Sequence, residues 1–198
     1  YCASVRQDIP ADTAAKAHHI IRQLKRVDRH DTRLAAPLTP HVLKILWRCL
    51  VGVRPSCTGG LRVPRDRAQV FVQALTSFAA ALRSGNAASG ILLGDLKLLP
   101  SRRLIVLQVR RGKRAPATTS LVPLWHSDDL LSPASWLFWY SEKYFGRSLA
   151  RMVRDHPSWP LFPRTFNLST GAVEPWNPAA HTRRLRHALR DALSLIHI

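Results

Sequence analysis

Two cationic residues of this chain, Arg83 and Lys113, stand where they could act on a phosphate group. Arg83 follows an apolar, Ala-rich stretch that predicts a helix over residues 70–82, and Gly85 after it predicts a left-handed helix cap. Lys113 lies in a turn between two predicted strands. A guanidinium offers paired hydrogen bonds to non-bridging phosphate oxygens, and an ammonium can protonate a leaving oxygen. The pair favours chemistry at a phosphodiester; a helix-terminal cation and a solvated turn lysine are the simpler alternatives.

Other arginines surround the lysine or follow later in the chain. Arg110, Arg111 and Arg114 lie in the same short segment with no acidic residue among them. A basic run without compensating acids favours contact with a polyanion over a merely solvated surface. Arg183 and Arg184 lie on the last predicted helix, which is also basic. We predict that these five arginines contact DNA.

The composition of the chain agrees with a polyanionic partner. The chain has 198 residues, of which 46% are apolar, so it can bury a core. Its net charge is +18 and its pI is near 11.5. Such an excess of Lys and Arg is typical of proteins that bind nucleic acid. No apolar run approaches the roughly 18 residues of a membrane-spanning helix, so no membrane partner is expected.

The cysteines exclude two kinds of site. Cys2, Cys49 and Cys57 are odd in number and have no Cys-x-x-Cys spacing. They support neither a zinc site nor a disulfide framework, and a reducing, intracellular location such as the nucleus or nucleoid fits them best. Because the chain also has no phosphate-cradling glycine-rich loop and no constellation of metal-ligating residues, we expect no metal and no cofactor.

Hydrophobic periodicity predicts a mainly α fold with a small three-stranded antiparallel sheet, an α+β class. Loops are predicted over residues 52–67 and 157–177. Thr39 and Pro40 predict a helix start, as N-cap and first helical residue. The expected helices cover residues 14–26, 40–50, 70–82, 135–153 and 178–192, and the expected strands cover residues 91–99, 104–109 and 120–124.

The segment Leu82-Arg83-Ser84-Gly85-Asn86, followed by Asp95 and by Lys113 between strands, resembles the catalytic domain of the tyrosine recombinases, the phage integrase family. In that family the first catalytic Arg lies in a Leu-Arg-x-x-Glu-x-x-x-Leu segment, an Asp follows, and a catalytic Lys lies between the next two strands. Asn86 stands here in place of the Glu. The resemblance implies that Arg83 and Lys113 are catalytic and that duplex DNA is the partner. It also implies strand exchange without a cofactor, by an intact protein that oligomerises on DNA.

The resemblance also divides the chain into domains. Residues 1–36 would be the end of an N-terminal helical core-binding domain with its linker, and residues 37–192 would be part of the catalytic domain. The final residues, Leu193-Ser194-Leu195-Ile196-His197-Ile198, match the peptide encoded by a translated sequencing-library transposon end. We expect native sequence to stop near Ala192, with an ordinary apolar helix end as the alternative.

Two further family motifs bear on activity. His187-Ala188-Leu189-Arg190 spells the family's His-x-x-Arg box, but it continues a predicted helix without a turn, which favours an earlier helix of the family and leaves the box open. Tyr140 and Tyr144 lie in an aromatic stretch and are predicted to pack in the core rather than to act as the nucleophile. We therefore expect DNA binding without cleavage. The alternatives are a non-catalytic relative that keeps the DNA-binding surface and a basic RNA-binding module.

Overall fold

The computed structural model describes residues 38–55, 63–82, 90–99, 101, 103–111 and 118–194. A 3-10 turn over Leu93–Asp95 precedes the first strand, and a π-helical turn over Ser141–Phe145 extends the third helix. The helices are α1 (Pro40–Leu50), α2 (Arg65–Ala79), α3 (Pro133–Tyr140), α4 (Leu149–Asp155) and α5 (Pro178–Ser194), and the strands are β1 (Leu96–Leu99), β2 (Leu104–Arg111), β3 (Thr118–Trp125), β4 (Thr165–Asn167) and β5 (Ala172–Glu174). The predicted mixture of helices and a small sheet is confirmed.

The three longer strands form an antiparallel meander in the order β1-β2-β3, as the sequence predicts. Side chains alternate between the two faces of a strand, and Ile105, Leu107 and Val109 of β2 are all buried. Because β3 also packs against α3, this face of the sheet belongs to the core. The intervening residues of each strand point to the other face.

The helix α2 is buried on most sides, which is also as predicted. All its residues from Ala68 to Thr76 are buried, and it packs against α1, α3 and α5. Its Phe71 ring meets the Trp136 ring of α3 edge-on, with the ring centroids 5.0 Å apart. The Trp136 indole N–H donates to the Leu130 carbonyl oxygen at 2.6 Å, so this large side chain is buried with its polar atom satisfied.

The chain leaves α2 earlier than the sequence predicts. The residue that turns the chain is Ala81, which has a left-handed φ of 49°. Its N–H donates to the Phe78 carbonyl at 3.2 Å, and the next N–H donates to the Ser77 carbonyl at 2.8 Å. These two bonds form a Schellman motif. The left-handed residue that caps α2 is therefore this alanine, and α2 ends at Ala79; the predicted cap, Gly85, lies outside the described residues.

The first predicted strand is also shorter than expected, since residues 93–95 form a 3-10 turn and Leu92 makes an isolated β-bridge with Pro160. The Leu93 N–H donates to the Trp159 carbonyl at 2.8 Å, and the Gly94 N–H donates to the Pro157 carbonyl at 2.8 Å. A Cβ on Gly94 would lie 2.9 Å from that Pro157 oxygen, so glycine alone allows this approach without a shift. The turn joins the sheet to the segment that leads to β4.

Residues 135–153 do not form the single long helix that was predicted. Gly146 ends the π-helical turn with a left-handed φ of 63°. The Ser148 Oγ then accepts the Arg151 N–H at 3.4 Å and caps the start of α4. The prediction is wrong because it overlooked Gly146 as a residue that ends a helix and Ser148 as a residue that starts one.

Residues 157–177, predicted as a loop, contain the antiparallel hairpin of β4 and β5. The Asn167 Oδ1 accepts the N–H groups of Ser169 and Thr170 at 2.9 and 3.2 Å, and Gly171 has a left-handed φ of 71°. These residues build the turn of the hairpin. The prediction of a loop is wrong here because each strand is too short to show an alternating pattern.

The helices α1 and α5 begin at the residues that the sequence predicts. The Thr39 Oγ1 accepts the Val42 N–H at 3.2 Å, and Pro40 is the first residue of α1. The helix α5 begins at Pro178 and ends two residues beyond the predicted Ala192. None of the described helices is long and apolar enough to cross a membrane.

Candidate nucleic-acid interface

The solvent-facing side of α5 carries a line of exposed basic residues. Their spacing of three or four residues brings them to one side of the helix, while Leu185 and Leu189 pack against the core. At a rise of 1.5 Å per residue the line is about 10 Å long. We call these residues the basic stripe, and they are Arg183, Arg186, His187 and Arg190.

Arg184, which the sequence assigns to DNA binding, has partners within the protein. Its guanidinium nitrogen lies 3.3 Å from the Asp66 carboxylate of α2, and its guanidinium carbon lies 4.7 Å from the centre of the Trp176 ring. Burial lowers the pKa of Arg184, and the carboxylate of Asp66 opposes that shift. The residue ties α5 to α2, and its contact with DNA stays a prediction.

A second arginine ties the β4–β5 hairpin to α2. The Arg65 guanidinium lies 5.1 Å from the centre of the Phe166 ring and donates to the Arg164 carbonyl. One turn further along α2, the Gln69 Nε2 donates to the Pro163 carbonyl at 3.1 Å. These contacts fix the hairpin, and with it the chain that leads into α5.

The predicted basic turn lies at one end of the meander. Arg110 and Arg111 are the last residues of β2, and their backbones pair with Thr119 and Thr118 of β3. Because the two strands are antiparallel, the chain between them must turn at this end.

Three predicted site residues, Arg83, Lys113 and Arg114, lie outside the described residues. The structure therefore neither brings Arg83 and Lys113 together nor separates them, and their roles stay predictions. The Asp of the family resemblance, Asp95, is described. It is buried, and its Oδ2 accepts the Leu92 N–H at 2.9 Å, so it stabilises the turn before β1.

The two tyrosines of the aromatic stretch have structural surroundings. Tyr140 is buried against the rings of Tyr144 and Phe162, which confirms its prediction as a core residue. The Tyr144 Oη donates to the Val63 carbonyl at 2.9 Å, and burial raises the pKa of Tyr144 to about 12. Burial raises the pKa of Tyr140 as well. Neither phenol is placed or charged as a nucleophile would be.

A cleft of about 540 Å³ lies between the end of β3, α3 and the segment after α1. Three of its lining residues are acidic: Asp128, Asp129 and Glu142. Carboxylates at such a cleft repel a phosphate, so this is not where we place a nucleic acid.

One member of the basic stripe, Arg186, was not singled out from the sequence. Its spacing of three residues from Arg183 on a predicted helix was a signal that could have found it. His187 and Arg190 lie within the continuous helix α5, with no turn before them, as the sequence favours.

Among the described residues, no group of three or more His, Cys, Asp or Glu side chains could hold a metal ion. Comparison of the chain with protein-family models, with curated proteins and with solved structures gives no significant match. The nature of the interface therefore has to be argued from the charge and geometry of the basic stripe.

Proposed function

We propose that this chain binds duplex DNA and is the DNA-binding fragment of a site-specific recombinase of the tyrosine recombinase type. The observation that carries the proposal is the basic stripe on α5, in a chain with a net charge of +18. The stripe is about 10 Å long, and successive phosphates of one DNA strand are about 3.4 Å apart along the duplex axis. The stripe can therefore lie beside about three phosphates of one strand. The meander with its basic turn between β2 and β3 supports the recombinase type.

In this proposal the strand is broken by transesterification in the intact protein. A tyrosine oxygen attacks phosphorus and forms a 3′-phosphotyrosyl bond, while the 5′ oxygen leaves. Arg83 stabilises the charge that develops on the non-bridging oxygens, and Lys113 protonates the leaving oxygen. Since Tyr140 is buried and the Tyr144 hydroxyl donates a hydrogen bond to the Val63 carbonyl, we expect no nucleophile from α3 and its π-helical turn. The chain is therefore expected to bind DNA without forming a covalent adduct.

The test is duplex binding as a function of salt. A labelled duplex of about 30 base pairs and arbitrary sequence is titrated by fluorescence anisotropy between about 50 and 200 mM NaCl. If about six phosphates are neutralised, the log–log salt slope is about −5. Replacing Arg183 and Arg186 by Gln should weaken binding and make the slope less steep by about 2.

A matched control removes two other exposed arginines, Arg151 and Arg154 of α4. Both donate to the Asp155 carboxylate, at 3.3 and 3.0 Å, so that carboxylate offsets part of their charge. The variant with Gln at these two positions should change the slope less than the stripe variant does. Equal effects of the two variants, or a binding constant that does not depend on salt, would contradict the proposal.

Three further measurements test the alternatives and the assigned roles. A folded RNA that competes with the duplex at much lower concentration would favour the RNA-binding module. A nicked suicide substrate should give no covalent adduct with this chain, and an adduct mapped to Tyr140 or Tyr144 would overturn the assignment of these residues. In a longer chain that contains the nucleophile, Arg83→Ala should lower the rate of adduct formation by about a hundredfold.

A further inference from the structure

The meander has a second face, which is apolar yet exposed. The register places Leu99, Leu104 and Trp125 in one row across the three strands. Trp125 is 59% exposed, Leu121 is 64% exposed and Leu99 is 37% exposed. We call this surface the outer face, and its apolar members are Leu99, Leu104, Val106, Leu121, Pro123 and Trp125. Contiguous exposed apolar residues of this kind mark binding surfaces.

Exposed cations stand beside the apolar row. Lys97 pairs with Val106 in the register and therefore lies on the outer face. Arg103 lies in the turn between β1 and β2, and its carbonyl accepts the His126 N–H at 2.8 Å, which places it next to Trp125 at the end of β3. The side chains of both Lys97 and Arg103 are exposed.

The charge of this region identifies the chemistry of its partner. From residue 96 to residue 125 the sequence contains no Asp or Glu. Its cations are Lys97, Arg102, Arg103, Arg110, Arg111, Lys113 and Arg114. A complementary partner must be negatively charged and must also present apolar surface to the outer face. Duplex DNA meets only the first condition because its base faces are stacked on one another, whereas an unpaired strand presents both phosphates and open base faces.

We propose that the outer face of the meander binds single-stranded nucleic acid, with a base stacked on Trp125 and the neighbouring phosphates bound by Lys97 and Arg103. Gln108, which lies opposite Leu121 in the register, adds an amide that can hydrogen-bond to base edges. An anionic lipid surface is also charged and apolar, but an amide among the apolar residues suits bases better than acyl chains. The site is separate from the basic stripe and does not depend on duplex binding.

The probe is a labelled oligothymidine of about 20 nucleotides, which forms no secondary structure and is longer than the site of one small domain. Trp125→Ala should weaken its binding to the full chain about tenfold, which corresponds to one lost stacking contact. Trp125→Phe, which keeps an aromatic face, should recover part of the loss. Duplex binding should change less than twofold in both variants.

The control variant is Phe78→Ala, which removes another exposed aromatic side chain, 40% exposed near the end of α2. It should leave oligothymidine binding unchanged. Because Trp125→Ala could also alter the sheet, the pair Lys97→Gln and Arg103→Gln provides a second test that leaves the apolar row intact. This pair should weaken oligothymidine binding and make its salt slope less steep by about 1.4.

Three results would overturn the proposal. The first is an equal loss of oligothymidine binding in the Trp125→Ala and Phe78→Ala variants. The second is a loss of duplex binding in Trp125→Ala as large as its loss of oligothymidine binding. The third is binding to phosphatidylserine vesicles that depends on Trp125 while oligothymidine binding does not, which would assign the outer face to a membrane surface.

Discussion

Replacing Ser132 by Ala should destabilise the protein more than an ordinary loss of a helix cap. Ser132 is the N-cap of α3 and is buried, and its Oγ accepts the Ser135 N–H at 3.4 Å. The same Oγ accepts the Ser127 N–H at 3.2 Å and donates to the Trp125 carbonyl at 2.9 Å. One hydroxyl thus joins the end of β3 to the start of α3.

The expected cost follows from these bonds. An N-cap stabilises a helix by about 1 kcal/mol. The Ser127 N–H and the Trp125 carbonyl also lose their partner, and each loss adds about 0.5–1 kcal/mol. The sum is about 2–3 kcal/mol in the free energy of unfolding. For a chain of this size that is a fall in Tm of about 4–12 °C.

Urea unfolding followed by tryptophan fluorescence measures this loss, and Ser148→Ala is its matched control. Ser148 is the N-cap of α4, but it is exposed, and among the described residues its Oγ accepts only the Arg151 N–H, at 3.4 Å. The control should cost about 0.5–1 kcal/mol. If Ser132→Ala costs no more than Ser148→Ala, the hydroxyl does not join sheet and helix in solution and the reasoning fails.

Three other substitutions test the backbone and the half-buried phenol of Tyr144. Ala81→Gly should stabilise the protein by about 0.5–1 kcal/mol in urea unfolding, because a left-handed φ of 49° is strained for alanine and not for glycine. Gly94→Ala should lower the unfolding free energy by about 1–3 kcal/mol, because its Cβ would lie 2.9 Å from the Pro157 carbonyl oxygen; an unchanged Tm would contradict the close approach. Tyr144→Phe should cost about 1 kcal/mol at neutral pH, because the Val63 carbonyl loses its donor. The pKa of Tyr144 is raised from 10 to about 12, so its neutral form stabilises the fold below pH 10 and that contribution is lost as the pH rises through 12. Between these pH values the wild type should therefore lose more stability than Tyr144→Phe, and parallel losses would contradict the shift.

The elements that could be predicted from the sequence are those with local signals. Thr39 and Pro40 define the start of α1 by a side-chain hydrogen bond and by a fixed φ, both of which act within one turn. The strands β2 and β3 lie within two residues of their expected bounds, because long runs of Leu and Val are bordered by turn residues. The basic stripe follows from helical spacing alone, and Arg186 completes it.

The remaining features depend on contacts between distant segments. Apolar content suggested a strand from residue 91, but backbone hydrogen bonds to Trp159 and Pro157 hold a turn at residues 93–95. The helix α2 starts at Arg65, within residues 52–67, which were predicted as a loop. Its first buried residue is Ala68, so the periodicity of the core-facing residues does not show where the helix starts. The partners of Arg184, Asp66 and Trp176, lie on other elements and have no sequence pattern that connects them.

The contacts between α2 and the hairpin region have a consequence for synthesis on the ribosome. The Gln69 amide is wholly buried, yet its partner Pro163 lies 94 residues further along the chain. At about 5–20 residues per second, the ribosome needs about 5–20 s to make that partner after it has made α2. Hydrophobic collapse takes less than a millisecond, so for those seconds the part of α2 that packs against the later elements must stay uncovered or be held by a chaperone. Translation of the C-terminal half therefore sets the earliest time at which the contacts between α2 and the hairpin region can form.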